Sequence, residues 1–318
     1  MNKKIIMLLS VVMALFLVFT MWGCEKKAVG DNGKIKVVAT AFPHYDFVRQ
    51  IAGEKAELTM LIKPGSEVHT YDPSPSDIAK ISACDIFVYT GGESDMWAKS
   101  ILEGASDKDM KIVSFTDICS PELCDEVSFG TVKETNDHEH HSHNYDEHVW
   151  TSPKNAMKLA EKVYEALCEK DSANKAVYTE NYTVFSEKLS ELDEKMTEAS
   201  EKSKGKTIIV ADRFPFAHLV KDYGFEYEAA FPGCSSETEP GAKTVARLSQ
   251  KVRQENIPVV FTVEFSNKKV AQNIVCDSEA KILTLHSCHN VTNDAFISKI
   301  TYVELMTQNI NNLREALD

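Results

Sequence analysis

Asp137-His-Glu-His-His-Ser-His-Asn-Tyr-Asp-Glu-His148 places five of the chain's ten histidines in twelve residues. Neutral imidazoles interleaved with carboxylates offer nitrogen and oxygen donors to divalent transition metals. Such a run cannot build a core, so folding does not account for it. Its bland alternatives are a solvated polar loop or a cloning tag. The run is internal and broken by acids, which does not suit a tag. Metal capture is the chemistry these residues suggest, with His138, His140, His141 and His143 gathering ions ahead of His148.

The beginning of the chain indicates where that chemistry takes place. Lys3 and Lys4 precede an uncharged apolar segment, Ile5 to Gly23, which is followed by Cys24 and Glu25-Lys-Lys. Charged, apolar and small-residue regions in that order form a secretory signal. Met21-Trp-Gly-Cys24 resembles the lipobox of bacterial lipoproteins, in which the cysteine is lipidated and becomes the mature N-terminus. A single membrane anchor is the alternative. On either reading the rest of the chain is extracytoplasmic and held at the outer face of the cell membrane. No later segment is apolar enough to span a bilayer, which excludes a permease. The net charge of −13 argues against nucleic acid and suits a protein that attracts cations. Eight cysteines in an exported chain permit disulfides. Cys119 with Cys124 is one local pairing, and Cys234 with Cys288 a second.

About 290 residues remain after the signal, more than one core usually serves. Residues 24–34 are polar and read as a tether. Short β-branched or apolar runs follow at Ile35–Ala39, Glu57–Ile62, Asp85–Tyr89 and Lys111–Phe115, separated by helix-like segments. The plan repeats at Lys206–Val210, Phe225–Ala230, Pro258–Val263 and Lys281–Leu285. Strands alternating with helices imply parallel pairing, so the fold class is α/β, with two lobes of about four strands each. The expected lobes span 35–170 and 205–318, with the histidine-rich loop at 137–148.

Between them lies a distinct helical region. Ser152-Pro153 supplies an N-cap and a first-turn proline for a helix running to about Cys168. A second helix carries Tyr178, Tyr182, Phe185, Leu189, Leu192, Met196 and Ala199 at alternating spacings of four and three. The stripe includes two tyrosines and an alanine over only three heptads. It reads as one long linking helix, 171–204, packed on its own lobes, with a coiled-coil dimer seam as the alternative. A monomer is expected.

Pro64-Gly-Ser-Glu-Val-His-Thr-Tyr-Asp-Pro-Ser-Pro-Ser-Asp77 resembles a signature of the zinc/manganese-type solute-binding lipoproteins of bacterial ABC transporters. Asp146-Glu-His-Val-Trp-Thr-Ser-Pro153 resembles a second signature. Tyr223-Gly224, Glu239-Pro240, Tyr302, Met306 and Asn309 match further marks. The resemblance covers residues 35 to 318. It implies two lobes joined by a rigid backbone helix, one metal ion in the cleft between them, and delivery of that ion to a membrane permease with its ATPase.

Carried over residue by residue, His69 and His148 are ligands from the first lobe, and His286 is a ligand from the second. His69 and His148 each follow a strand and precede a proline-bearing turn, where α/β lobes present ligand groups. Where the family places another ligand, ten residues before Tyr223, this chain has Arg213, which cannot coordinate a cation. Glu264 either binds the metal or pairs with Arg213, and the pairing is preferred. Asp212 is a further ligand or partner candidate, and His289 either substitutes for His286 or is structural. His44 reads as structural and His218 as packing or surface. Three imidazoles with at most one carboxylate favour zinc over manganese. Arg213 also leaves open that the natural ligand is a metal complex or an anion.

The expected function is therefore binding and release without covalent chemistry. The alternatives are an exported zinc hydrolase, with Glu264 the only obvious general base, and a metal-binding surface adhesin or storage lipoprotein. No His-Glu-x-x-His helix or nucleophile elbow is present to support an enzyme.

Overall fold

The β-branched runs of the first half pair as a parallel sheet. Strands β1 (Ile35–Ala39), β2 (Ala56–Met60), β3 (Ile86–Tyr89) and β4 (Lys111–Ser114) lie in the order β2-β1-β3-β4. Val37 stands beside Leu58 on one side and Ile86 on the other. In the second half β5 (Thr207–Val210), β6 (Glu226–Ala229), β7 (Val259–Thr262) and β8 (Lys281–Thr284) repeat the order as β6-β5-β7-β8, again all parallel. Central strands buried on both faces need near-continuous apolar sequence, which Val259-Val-Phe-Thr262 supplies. The structure is a computed structural model and describes residues 33–104, 109–120, 145–231 and 240–317.

Two sheets of four parallel strands flanked by helices, with one long helix, are the architecture read from the sequence. The long helix is Lys175–Lys202, 28 residues, or roughly 42 Å at about 1.5 Å per residue. The alternating stripe is covered by the chain itself. Tyr178, Phe185, Leu189, Leu192, Met196 and Ala199 are buried, against the helices Pro153–Lys170, Phe42–Ala52 and Tyr302–Leu317. The Phe47 and Phe185 rings meet edge to face at 5.3 Å, and Tyr164 stacks on Tyr182 at 4.6 Å. Polar ties hold both ends: Asn181 donates to the Ile51 carbonyl at 3.0 Å, and Tyr223 donates to Asp193 at 2.6 Å.

One apolar core runs through both halves. It contains Val37 and Val88 of the first sheet, Leu189 of the long helix, and Ile208 and Phe261 of the second sheet. Residues Ile35–Asp318 accordingly form a single compact unit. Ser152 is the N-cap position before Pro153, but its hydroxyl donates to Asp222 and accepts no N–H of its own helix. The helix start is thus used as a joint between the two halves.

Among the described residues, no helix is long and apolar enough to cross a membrane. The signal segment, Cys24 and the loop histidines His138, His140, His141 and His143 lie outside the described residues, as do Cys124, Cys234 and Glu239.

Candidate metal centre

All the site residues follow the carboxyl ends of strands. The segment after β2 carries His69, and the segment preceding Pro153–Lys170 carries His148. Those after β5, β7 and β8 carry Arg213, Glu264 and His286–His289. Each sheet reverses its strand order beside β1 or β5, where open parallel sheets leave a crevice for ligands. The cleft there has a volume of about 600 Å³.

Three imidazoles meet in it. His69, His148 and His289 each offer one ring nitrogen, and these atoms lie within 4.8 Å of one another. Ring centroids are 5.7 Å apart for His69–His148, 5.0 Å for His69–His289 and 4.9 Å for His148–His289. His148 and His289 are buried, and His69 is partly exposed.

His148 is oriented by its own turn. Asp146 Oδ1 lies 2.6 Å from His148 Nδ1 and also accepts the His148 backbone N–H at 2.9 Å. Its Oδ2 accepts the Ala217 N–H at 3.0 Å, fixing the carboxylate to the second half. Burial would raise the Asp146 pKa, but the neighbouring His148 and its hydrogen bonds outweigh burial and hold the group below its usual value. An ionised carboxylate on Nδ1 fixes the ring and turns Nε2 toward the other imidazoles, the arrangement that orients metal-binding histidines. His218, on the helix Ala217–Tyr223, is buried and contacts the Asp146 carbonyl through Nε2 at 2.9 Å, which makes it a packing residue.

His69 stands on a turn built around Gly65, whose φ of +78° suits glycine. Glu67 Oε1 accepts the backbone N–H groups of Val68 and His69 at 3.1 and 3.4 Å. Glu147 Oε1 approaches His69 Nδ1 at 3.6 Å while its Oε2 accepts the Ser94 N–H at 3.1 Å. Burial lowers the His69 pKa, reinforced by the adjacent His148.

His289 reaches the cluster because the chain kinks just before it. Cys288 adopts φ +59°, a left-handed conformation uncommon for a residue with a Cβ. Glu264 holds the kink: its carboxylate accepts from Ser287 N at 2.8 Å, Ser287 Oγ at 2.5 Å and His289 N at 3.3 Å. Burial, and then the nearby His148 and His69, keep His289 well below the ordinary histidine pKa. Its Nε2 is buried without a hydrogen-bond partner. A buried polar nitrogen in that state is costly unless something binds it.

The expectation that His286 joins His69 and His148 is not what the structure shows. Asn309 Oδ1 accepts the His286 N–H at 2.7 Å, and its Nδ2 donates to the His286 carbonyl at 2.8 Å. That clamp leaves His286 lining a separate recess of about 330 Å³ with Thr284 and Gln308. The kink at Cys288 sends His289 into the cleft instead. The preferred Arg213–Glu264 pairing is also replaced. Arg213 Nη1 lies 3.7 Å from Glu67 Oε2, and Glu264 is engaged by the Ser287–His289 backbone. Asp212 lines the cleft, with Oδ1 accepting the Arg213 N–H at 2.9 Å.

Two residues not singled out from the sequence tie the halves at the site. Trp150 Nε1 donates to the Ser287 carbonyl at 2.8 Å, and its ring lies 5.0 Å from that of His289. Asn290 Nδ2 donates to the carbonyls of Lys63 and Ser66 at 2.9 and 2.8 Å, and Gly65 N donates to the Val291 carbonyl at 2.8 Å. The turn bearing His69 and the loop bearing His289 are therefore joined directly. Tyr302, one of the further marks in the sequence, donates to the Trp150 carbonyl at 2.6 Å. His44 is structural: its ring is fully buried, with Nδ1 3.2 Å from the Ala41 N–H.

The family model described as zinc-uptake complex component A, periplasmic, matches residues 37–316. The zinc-binding lipoprotein AdcA of Streptococcus pneumoniae is 30% identical over 322 residues, covering 99% of this chain and 61% of its own length. The chain thus spans about three fifths of that relative. The high-affinity zinc uptake system protein ZnuA of Bacillus subtilis is 28% identical, with 97% of each chain covered. The crystal structure of the Zn(II)-bound ZnuA-like domain of S. pneumoniae AdcA superposes with a TM-score of 0.72 at 27% identity, over 90% of this chain and 100% of that domain. A match across almost the whole folded unit, together with the same architecture, places this chain in the family of the zinc-uptake complex component A proteins.

Proposed function

We propose that the protein is an extracytoplasmic receptor that captures zinc between its two sheets and passes it to a membrane permease driven by an ATPase. The observation that carries this reading is the convergence of His69, His148 and His289, with Asp146 on His148 and an unpartnered Nε2 on His289. The relatives named for zinc binding and zinc uptake support it. Three imidazoles without a carboxylate in the cluster suit zinc, whereas manganese prefers oxygen donors. Zinc bonds of about 2.0–2.1 Å draw tetrahedral ligands to about 3.3 Å from one another. Rotation of His69, the least buried of the three, closes the set.

Capture and release need no covalent step. A hydrolase would need a free general base near the metal. Glu264 is engaged through both oxygens with the backbone and hydroxyl of the Ser287–His289 loop, so it serves as a loop anchor. In this reading the protein is a monomer, held at the outer membrane face through a lipid on Cys24. The histidines at 138, 140, 141 and 143 raise the local ion concentration.

The test is zinc titration by calorimetry on the full chain purified in detergent, with manganese in parallel. One tight zinc site lost in His148→Ala and kept after deletion of residues 137–143 is the expected result. Zinc binding unchanged in His148→Ala would overturn the reading.

A further inference from the structure

We propose that the cleft takes zinc together with a small polycarboxylate, one carboxylate oxygen completing the metal's coordination and a second carboxylate resting on Arg213. This inference rests on the zinc reading above and names the form of the cargo.

The first observation is an incomplete ligand set. Zinc is usually four-coordinate, and the described residues bring three imidazoles together and no carboxylate. Each nearby acid already has a partner within the protein. Glu264 holds the Ser287–His289 loop, Asp212 accepts from the Arg213 backbone through Oδ1, and Glu147 accepts from Ser94 through Oε2 with Oε1 beside His69 Nδ1. Glu67 caps its own turn through Oε1.

The second observation is space. A cleft of about 600 Å³ far exceeds what an ion and one water require, water occupying about 30 Å³ in the liquid. Its size lies within the range of about 300–1,000 Å³ typical of small-molecule sites.

The third is charge. Arg213 lines this cleft, and among the described residues its guanidinium is paired only with Glu67 Oε2 at 3.7 Å, beyond hydrogen-bond reach. Side-chain exposures of 34% and 52% make that a weak, solvent-screened pair. Glu67, Asp212 and Glu264 face Arg213 and Lys269 across the lining, while Asp146 and Glu147 approach the His148 and His69 imidazoles. A bare dication and a guanidinium in one cleft repel each other. An anion lying between them converts that repulsion into two attractions. The planar guanidinium fork matches a carboxylate in bidentate fashion, so a carboxylate is the anion class named.

Equilibrium dialysis of the full chain in detergent against radiolabelled citrate, with and without one equivalent of zinc, tests this. Expected is retention of about one citrate per chain that requires zinc and disappears in His289→Ala, which separates the cleft from the histidine-rich loop. Arg213→Gln lowers the ratio of retained citrate to retained zinc about tenfold, equivalent to about 1.4 kcal/mol, and Arg213→Lys lowers it less. With citrate supplied, zinc retained in the cleft and no citrate beside it, citrate retained undiminished by Arg213→Gln, or inorganic phosphate retained equally well would each overturn the carboxylate assignment. Zinc retention measured without citrate distinguishes the two failures: if that is unaffected by His289→Ala, the three-histidine site itself is wrong and both readings fall.

Discussion

The indole nitrogen of Trp150 donates to the carbonyl of Ser287 at 2.8 Å, joining the segment that carries His148 to the loop that carries His289. Two of the proposed ligands, from opposite halves, are thereby held in register by a residue outside the imidazole cluster. Trp150→Phe keeps much of the ring packing but loses this bond. The expected cost is about 1–3 kcal/mol of stability, because a buried carbonyl is left unpaired, together with weaker zinc binding. Urea denaturation and chelator competition measure the two effects. Unchanged zinc affinity would show that the loop holds its place without the indole.

His286 and His289 make opposite predictions although only two residues separate them. His289→Ala removes a donor from the cluster and lowers zinc affinity by at least about a hundredfold, more than the loss of an orienting partner usually costs. His286→Ala alters the separate recess and leaves the cleft site intact. Chelator competition on the two variants decides between them, and the reverse pattern would restore His286 as the ligand.

Asp146→Asn retains an oxygen for the Ala217 N–H but removes the anion beside His148. Loss of such an orienting carboxylate typically weakens metal binding by about 10–100-fold. Calorimetric titration of this variant should show the single zinc site retained with that loss. An affinity equal to that of the parent would mean that packing against Trp150, with ring centroids 5.4 Å apart, orients His148 unaided.

Stability should fall on acidification partly through His44, which is outside the three-imidazole cluster. Burial pushes its pKa down to about 3, against 6.5 for the free side chain. Between these values the unfolded chain binds the extra proton, so stability is complete above about pH 6.5 and declines as pH falls through that window. The slope from one such group is at most about 1.4 kcal/mol per pH unit. His69 and His289, also lowered, act in the same direction. His44→Asn, which can still accept the Ala41 N–H, should make the pH dependence of urea midpoints shallower by one group's share.

Strand runs, the two repeated sheets and the long helix were legible because each rests on local periodicity. Ile35–Ala39 and Val259–Thr262 are apolar for reasons their own sequence displays. Compact motifs around His69 and His148 marked two of the three imidazoles that meet in the cleft. That His289 and not His286 stands with them was hidden, because the deciding event is a left-handed residue at Cys288, a type that does not advertise positive φ. The clamp that diverts His286 comes from Asn309, 23 residues away, and spacing gives no sign of it. Glu264 failed as a partner of Arg213 for a related reason. Its demand comes from backbone N–H groups exposed by the same kink, and backbone donors carry no residue signature. Asp146, by contrast, lay in plain view two residues before His148, in a pattern that could have been read as a carboxylate orienting an imidazole.

The long helix has a consequence for how cargo leaves. With Lys175–Lys202 embedded in a core shared by both sheets, the molecule resembles a vice whose jaw width was set when the chain folded. On the proposed reading, ions would be graded by how little they force the jaws apart, and unloading would not rely on a wide swing of one half against the other. The compliant part is the short stretch from His286 to Val291, held by Glu264, Trp150 and Asn290. A docking permease that loosened those few tethers would free the ion while the frame stayed rigid.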